Sequence, residues 1–204
     1  MERIMVIQER YEVLKKKIVK RKNDFDSFIN MIEKETSWLI SPASTRFHLN
    51  KEGGLLEHSV GVAETLLKLR SLLTPELSEE SCVIVGLLHD VGKIGMPGKP
   101  RYFKNDNAWE VKNRDMTYKV NPKEVYMNLA ARSLYLIAKY IPLSDSEAQA
   151  ILYHDGQYVE ANKEVAHHET PLTLLVHFAD CWTAHIYEEG RSIQEDTDYY
   201  GRKE

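Results

Sequence analysis

Four side chains of metal-ligand type stand where the helical pattern of this chain calls for apolar residues. They are His58 in GGLLEHS, the adjacent His89 and Asp90 in GLLHDVGK, and Asp180 in LLVHFADCW. His58 lies three residues after Leu55 and four before Val62, which puts it on the inward stripe of its helix. His89 follows Val85 by four and points inward as well. Asp180 lies well inside a helix opened by Thr170 and Pro171. A buried, ionised carboxylate without a partner is costly, so Asp90 and Asp180 each need a cation or hydrogen-bond donors. A divalent ion satisfies both at once. Mixed imidazole and carboxylate ligation suits Mn, Fe, Co, Ni or Zn better than a thiolate-seeking or purely oxygen-seeking ion. Taken singly, each residue has a plain structural explanation: a packed core histidine, a capping aspartate, a common dipeptide. Their joint occurrence on three inward helix faces favours a shared site.

This arrangement, His58, then His89-Asp90, then Asp180, resembles the signature of the HD-domain superfamily of metal-dependent phosphohydrolases. The resemblance spans roughly residues 40 to 190. Its nearest flavour is the HD domain of bacterial 3′-to-5′ exoribonucleases, matched here by the stretch SPASTRFHLNKEGGLLEHS. The resemblance implies an all-α fold, a bound divalent metal and hydrolysis of a phosphate ester or anhydride. In that chemistry the ion polarises a phosphoryl oxygen and lowers the pKa of a water, and Asp90 can both ligate and orient that water.

The resemblance also implies that Lys93, in His-Asp-Val-Gly-Lys, faces the substrate phosphate, where its charge would stabilise the transition state. The helix dipole equally favours a lysine at that position, and the two readings stand side by side. His48 matches a histidine of the exoribonuclease pattern, and Arg46 beside it carries a fork suited to phosphate. Exposed loop residues without a role are the competing reading for both. His154 corresponds to a histidine that helps hold a second ion in two-metal relatives. Those relatives use another histidine between the His-Asp pair and this one, and the chain has none between His89 and His154. One ion is therefore expected, with His154 a substrate contact or a plain helix-end residue. His167 and His168 fall in a polar loop and read as surface residues. His177, three before Asp180, reads as a packed histidine or a partner of the site.

The elements that must position these groups are mostly helical. Residues 2 to about 39 read as one or two helices, with Ile4, Ile7, Tyr11, Leu14 and Ile18 on one face and Lys15, Lys16 and Lys17 mostly outward. A turn-rich stretch leads to a helix from Gly54 to Leu73, closed by Pro75. Ser78, with Glu79 and Glu80 after it, opens a helix to about Val91. Between Gly92 and Pro122 the helical period is absent. AWEVKNRDMTYKV reads as a β-hairpin over residues 109–120, turning at Asn113 and Arg114. Asn121 and Pro122 suggest the start of a helix to about Tyr140, Ser144 to Glu147 form a capping-box pattern, and Thr170-Pro171 starts the last long helix, to about Glu189. The expected architecture is an all-α helical bundle with a small inserted hairpin. Residues 1–40 form a helical extension, 41–190 the metal-binding domain and 191–204 a polar tail.

Composition narrows the function. In 204 residues, 27 Lys and Arg against 31 Asp and Glu leave a net charge of -4, which provides no general attraction for duplex nucleic acid. No apolar run approaches the roughly 18 residues of a membrane helix, and the N-terminus lacks a signal-peptide pattern. Cys82 and Cys181 read as buried free thiols, which fits a cytoplasmic protein. The expectation is a cytoplasmic hydrolase for a small phosphorylated substrate, a nucleotide or short oligonucleotide. A nucleic-acid-processing nuclease and a non-catalytic nucleotide-binding module are the alternatives.

Overall fold

The computed structural model describes residues 2–188, so the polar tail expected over 191–204 lies outside the described residues. Two N-terminal helices, α1 (Glu2–Lys15) and α2 (Lys22–Glu35), are built on apolar faces that enter the common core. Phe25, Phe28 and Ile32 recur at three and four residues along α2 and are all fully buried. Tyr11 of α1 accepts a hydrogen bond at 3.2 Å from the indole Nε1 of the equally buried Trp38. Arg21, in the turn between α1 and α2, ties this region to the rest. It donates to Glu80 at 2.9 Å, to Glu147 at 2.7 and 2.8 Å, and to the carbonyl of Pro142.

The central pair is α3 (Gly54–Leu73) and α4 (Glu79–Leu88), packed closely along their length. Their approach depends on Gly86, where a Cβ would come within 2.6 Å of the Ala63 Cα. Gly54 is required by a similar closeness: a Cβ there would stand 2.1 Å from the Leu49 carbonyl oxygen. That contact presses the 41–53 loop, which carries His48, against the start of α3. The loop is further pinned by Leu55 N–H to Ser41 O and Ala43 N–H to Leu49 O. Ser78 caps α4 as its sequence suggests, accepting from the Ser81 N–H. The α-helix ends at Leu88, and Val91–Ile94 continue as a single 3-10 turn.

The remaining helices close the bundle. α6 (Leu129–Ala138) packs on that 3-10 turn, and α7 (Asp145–Tyr153) packs on α6 and on α8 (Pro171–Trp182). α8 lies against α3 and runs on into a π-helical segment, Thr183–Glu188. The Ser144–Glu147 capping box and the Thr170 cap with Pro171 at the first turn both form as expected.

Between α4 and α6 the chain makes two small antiparallel pairs, β1 (Gly95–Met96) with β2 (Lys99–Pro100), and β3 (Tyr102–Lys104) with β4 (Tyr118–Val120). The inserted hairpin is thus present, but its first strand precedes the expected range. Residues Ala108–Arg114 are a helix, α5. Asn107 decides this, since its side chain accepts from the N–H groups of Trp109 and Glu110, while Asp115 closes the helix in a left-handed conformation at φ 51°. The helix expected from Asn121-Pro122 starts instead at Leu129 with Asn128 as its cap. Asn121 turns its side chain to the Lys123 N–H and the Pro100 carbonyl, which holds residues 121–127 as a loop. Among the described residues no helix is long and apolar enough to cross a membrane.

Candidate metal centre

His58, His89, Asp90 and Asp180 converge where α3, the end of α4 and α8 meet. His58 and His89 are at most 1% exposed and Asp90 is 4% exposed. Ligand atoms of His58, His89 and Asp90 lie within 4.8 Å of one another, and so do those of His89, His154 and Asp180. Asp90 is the hub: its Oδ2 stands 3.6 Å from His58 Nε2, 3.7 Å from His89 Nε2 and 2.5 Å from Lys93 Nζ. Its Oδ1 faces His154 Nε2 at 3.6 Å. Asp180 Oδ1 approaches His58 Nε2 to 3.2 Å. The cluster reaches solvent on the side of Asp180, Lys93 and Asp155, whose side chains are 20, 15 and 46% exposed.

Local structure sets the ring orientations. His89 follows the last residue of α4, where carbonyls lack helical partners, and its Nδ1 donates to the Gly86 carbonyl at 2.9 Å. His154 repeats this at the end of α7, donating to the Ile151 carbonyl at 2.8 Å. A carbonyl only accepts, so both rings carry a proton on Nδ1 and turn Nε2 inward. His58 sits inside α3 and finds a different partner: its Nδ1 lies 2.8 Å from Glu188 Oε1.

The ionisation pattern follows from burial and proximity. Burial opposes the charged form of His89 and lowers its pKa to about 4, so that ring is neutral. Burial also opposes charge on His58, but Asp180 and Glu188 outweigh it and raise its pKa to about 10. For His154 the same opposition is overcome by Asp90 and Asp155, giving about 9. Burial would raise both carboxyls. Lys93 and the neighbouring imidazoles nevertheless hold Asp90 well below its usual range, and His58 does the same for Asp180. Lys93 is held above its ordinary value, against burial, chiefly by Asp90.

The donor set fits a divalent ion. Nε2 of His58 and of His89 are both buried without a hydrogen-bond partner, although two carboxylates stand within 4 Å. Nitrogen and oxygen donors converging in this way match the borderline transition metals.

Other residues singled out in the sequence are placed as follows. His48 lies beside the cluster, its ring centroid 5.3 Å from that of His58, with burial lowering its pKa. Arg46 is exposed, its guanidinium over the Phe47 ring at 4.8 Å, and it is not drawn into the cluster. His154 is fully integrated, with its ring centroid 4.8 Å from that of His89. His177 donates from Nδ1 to the His154 carbonyl at 2.9 Å and so braces the segment behind that ring. His167 and His168 stay in the loop before α8. Glu188 escaped sequence reasoning. It stands eight residues after Asp180, and in a regular α-helix it would be turned about 80° away from it. The π-helical segment alters that phase, and no residue pattern announced it.

A bundle of helices carrying this cluster defines a class, and the comparison with known families agrees. The chain belongs to the HD domain family, whose profile matches residues 55–184 and so takes in all four expected ligands. It is also 31% identical over 100 residues to the dihydroneopterin 2',3'-cyclic phosphate phosphodiesterase of Methanocaldococcus jannaschii. That match covers 46% of this chain and 40% of the archaeal protein. No solved structure gives a significant match.

Proposed function

We propose that this chain is a metal-dependent phosphohydrolase that cleaves a phosphate ester or anhydride of a small phosphorylated molecule, a nucleotide or short oligonucleotide. One divalent ion would be held by His58, His89, Asp90 and Asp180. The observation that carries this reading is the convergence of two buried, unpartnered imidazole nitrogens with two carboxylates at one point. Membership of the HD domain family supports it, and so does similarity to a protein named as a phosphodiesterase.

An ion bound there supplies Lewis-acid polarisation of the phosphoryl group and an activated water. The chain's own groups do the rest. Lys93 brings a permanent positive charge to the open side of the cluster, where a second phosphate oxygen can reach it; its pairing with Asp90 fixes the ammonium in place. His154 Nε2, on the far side of Asp90, is positioned to donate to substrate, with His177 behind it. His48, on the 41–53 loop, stands beside His58 with its ring centroid 5.3 Å away. Asp90, shared among these groups, holds the lysine and would orient the activated water. Arg46, exposed on the same loop, would engage only the outer part of a longer substrate.

The test is elemental analysis of the reloaded protein, followed by a screen of nucleotides, 2',3'-cyclic phosphates, generic phosphate esters and short RNA. His58→Ala and Asp180→Ala should each abolish most metal binding and turnover. A wild-type chain that takes up no stoichiometric metal on reloading overturns the proposal. Retention of nucleotide without turnover by the loaded protein would favour a binding module instead.

A further inference from the structure

Each buried histidine of the cluster needs a group that fixes its ring. His89 and His154 use carbonyls freed at helix ends, at 2.9 and 2.8 Å. His58 lies in the second turn of α3, where the neighbouring carbonyls are committed to the helix, so no equivalent acceptor exists beside it. Its orienting partner comes from the other end of the chain: Glu188, the last residue of the π-helical segment, whose side chain is 6% exposed.

We propose that Glu188 is the positioning residue of the metal centre. Its carboxylate accepts from His58 Nδ1 and thereby turns His58 Nε2 toward His89, Asp90 and Asp180. This inference rests on the metal reading above. A carboxylate is a costly group to bury, yet Glu188 Oε2 is buried without a hydrogen bond, facing the equally unpartnered Nε2 of His48 at 3.9 Å. Packing alone would be served better by an apolar side chain. The arrangement is explained by a requirement for a strong acceptor at His58. Carboxylate partners of this kind raise the basicity of a ligating imidazole and fix its tautomer. The π-helical segment has the same explanation. α8 delivers Asp180 to one side of His58, and the wider turn delivers Glu188 to the other, so a single continuous element places a carboxylate beside each nitrogen of the same ring.

Two measurements on the full chain test this. The first is Co²⁺ affinity by chelator competition for wild type, Glu188→Ala and Glu188→Gln. The alanine variant should bind about 10- to 100-fold more weakly, the usual effect of losing such a partner. Glutamine, whose amide oxygen still accepts, should recover most of the loss. The second is proton NMR of the metal-free chain. Here the His58 Nδ1 proton should give a downfield, hydrogen-bonded resonance that persists in Glu188→Gln and vanishes in Glu188→Ala. Unchanged Co²⁺ affinity in Glu188→Ala, or equal loss in both variants, overturns the assignment. If the wild-type chain takes up no Co²⁺, the metal reading fails. The NMR signal then decides separately whether Glu188 holds His58.

Discussion

Gly86→Ala measures how strictly helix packing sets the metal centre. The added Cβ would lie 2.6 Å from the Ala63 Cα, 3.0 Å from its Cβ and 3.1 Å from its backbone nitrogen. Carbon atoms rest at about 3.5–4.0 Å, so α3 and α4 must separate by about 1 Å. Two of the three opposing atoms are backbone, and no rotamer change can relieve them. Alanine gains about 1 kcal/mol over glycine in helix propensity, while overpacking of this kind costs about 1–3 kcal/mol. The net expectation is a loss of up to about 2 kcal/mol, or a fall of up to about 8 °C in Tm for a chain of this size. His58 lies on α3 five residues before Ala63, and His89 follows Gly86 by three. Ligating groups need to be held within about 0.5 Å, so the same separation should weaken metal binding on the order of tenfold, or about 1.4 kcal/mol. Adding Ala63→Gly removes only the Cβ contact and should restore less than half of either loss. Thermal unfolding of the metal-free protein and chelator competition on the loaded one provide the two readouts. A more stable Gly86→Ala would refute the steric argument. A destabilised variant with unchanged affinity would refute the coupling of packing to the site.

Three further outcomes are expected. Lys93→Ala should lower turnover about 10²- to 10³-fold while leaving metal content unchanged; unchanged kcat would return Lys93 to a structural role at its helix end. His154→Ala should still bind one ion per chain and show its defect in substrate affinity, and metal analysis giving two ions in wild type and one in the variant would reassign His154 to a second ion. Stability should fall in acid through Glu80 and Glu147, whose pKa values are lowered, against burial, by hydrogen bonds from Arg21. A depressed carboxyl contributes stability that is present above its unfolded value near 4.5 and disappears as pH falls through the lower folded value. The difference in urea midpoint between wild type and Arg21→Ala should therefore be constant above about pH 5 and shrink below it.

The convergence of His58, His89, Asp90 and Asp180 was legible because two independent signals coincided: an inward helical register, and residue types that a purely apolar stripe would reject. The caps at Ser78, Ser144 and Thr170 were legible because each is a local contact between a side chain and the backbone N–H three residues on. The insert between α4 and α6 was less so. Trp109 and Val111 look strand-like by residue type, but the Asn107 cap and the left-handed Asp115 make a helix of that stretch. Asn121-Pro122 carries a helix-start pattern, yet the Asn121 side chain is drawn to the Pro100 carbonyl, a tertiary partner that local reading could not supply. The depth of His154 was not legible for a related reason. Its burial depends on α7 packing against α8, and its approach to Asp90 joins elements more than sixty residues apart. Glu188 combined both difficulties, a long-range contact and a change of helical phase.

The charges of the cluster bear on whether metal is needed for folding. Several ionisable groups are buried together, which would be prohibitive if their charges were left unmatched. In the metal-free chain they are matched: raised imidazoles at His58 and His154 and the ammonium of Lys93 face the lowered carboxylates of Asp90 and Asp180, with Glu188 behind His58. A cation bound there would replace the His58 proton among carboxylates already in place. The scaffold around it is held by an apolar core that runs through α1, α2, α3, α4, α7 and α8, and by the Arg21 network far from the ligands. This differs from small domains whose fold is the metal site itself. On the metal reading, an ion should add stability only by mass action, as RT ln(1 + [M]/Kd), to a scaffold that already brings the four side chains together.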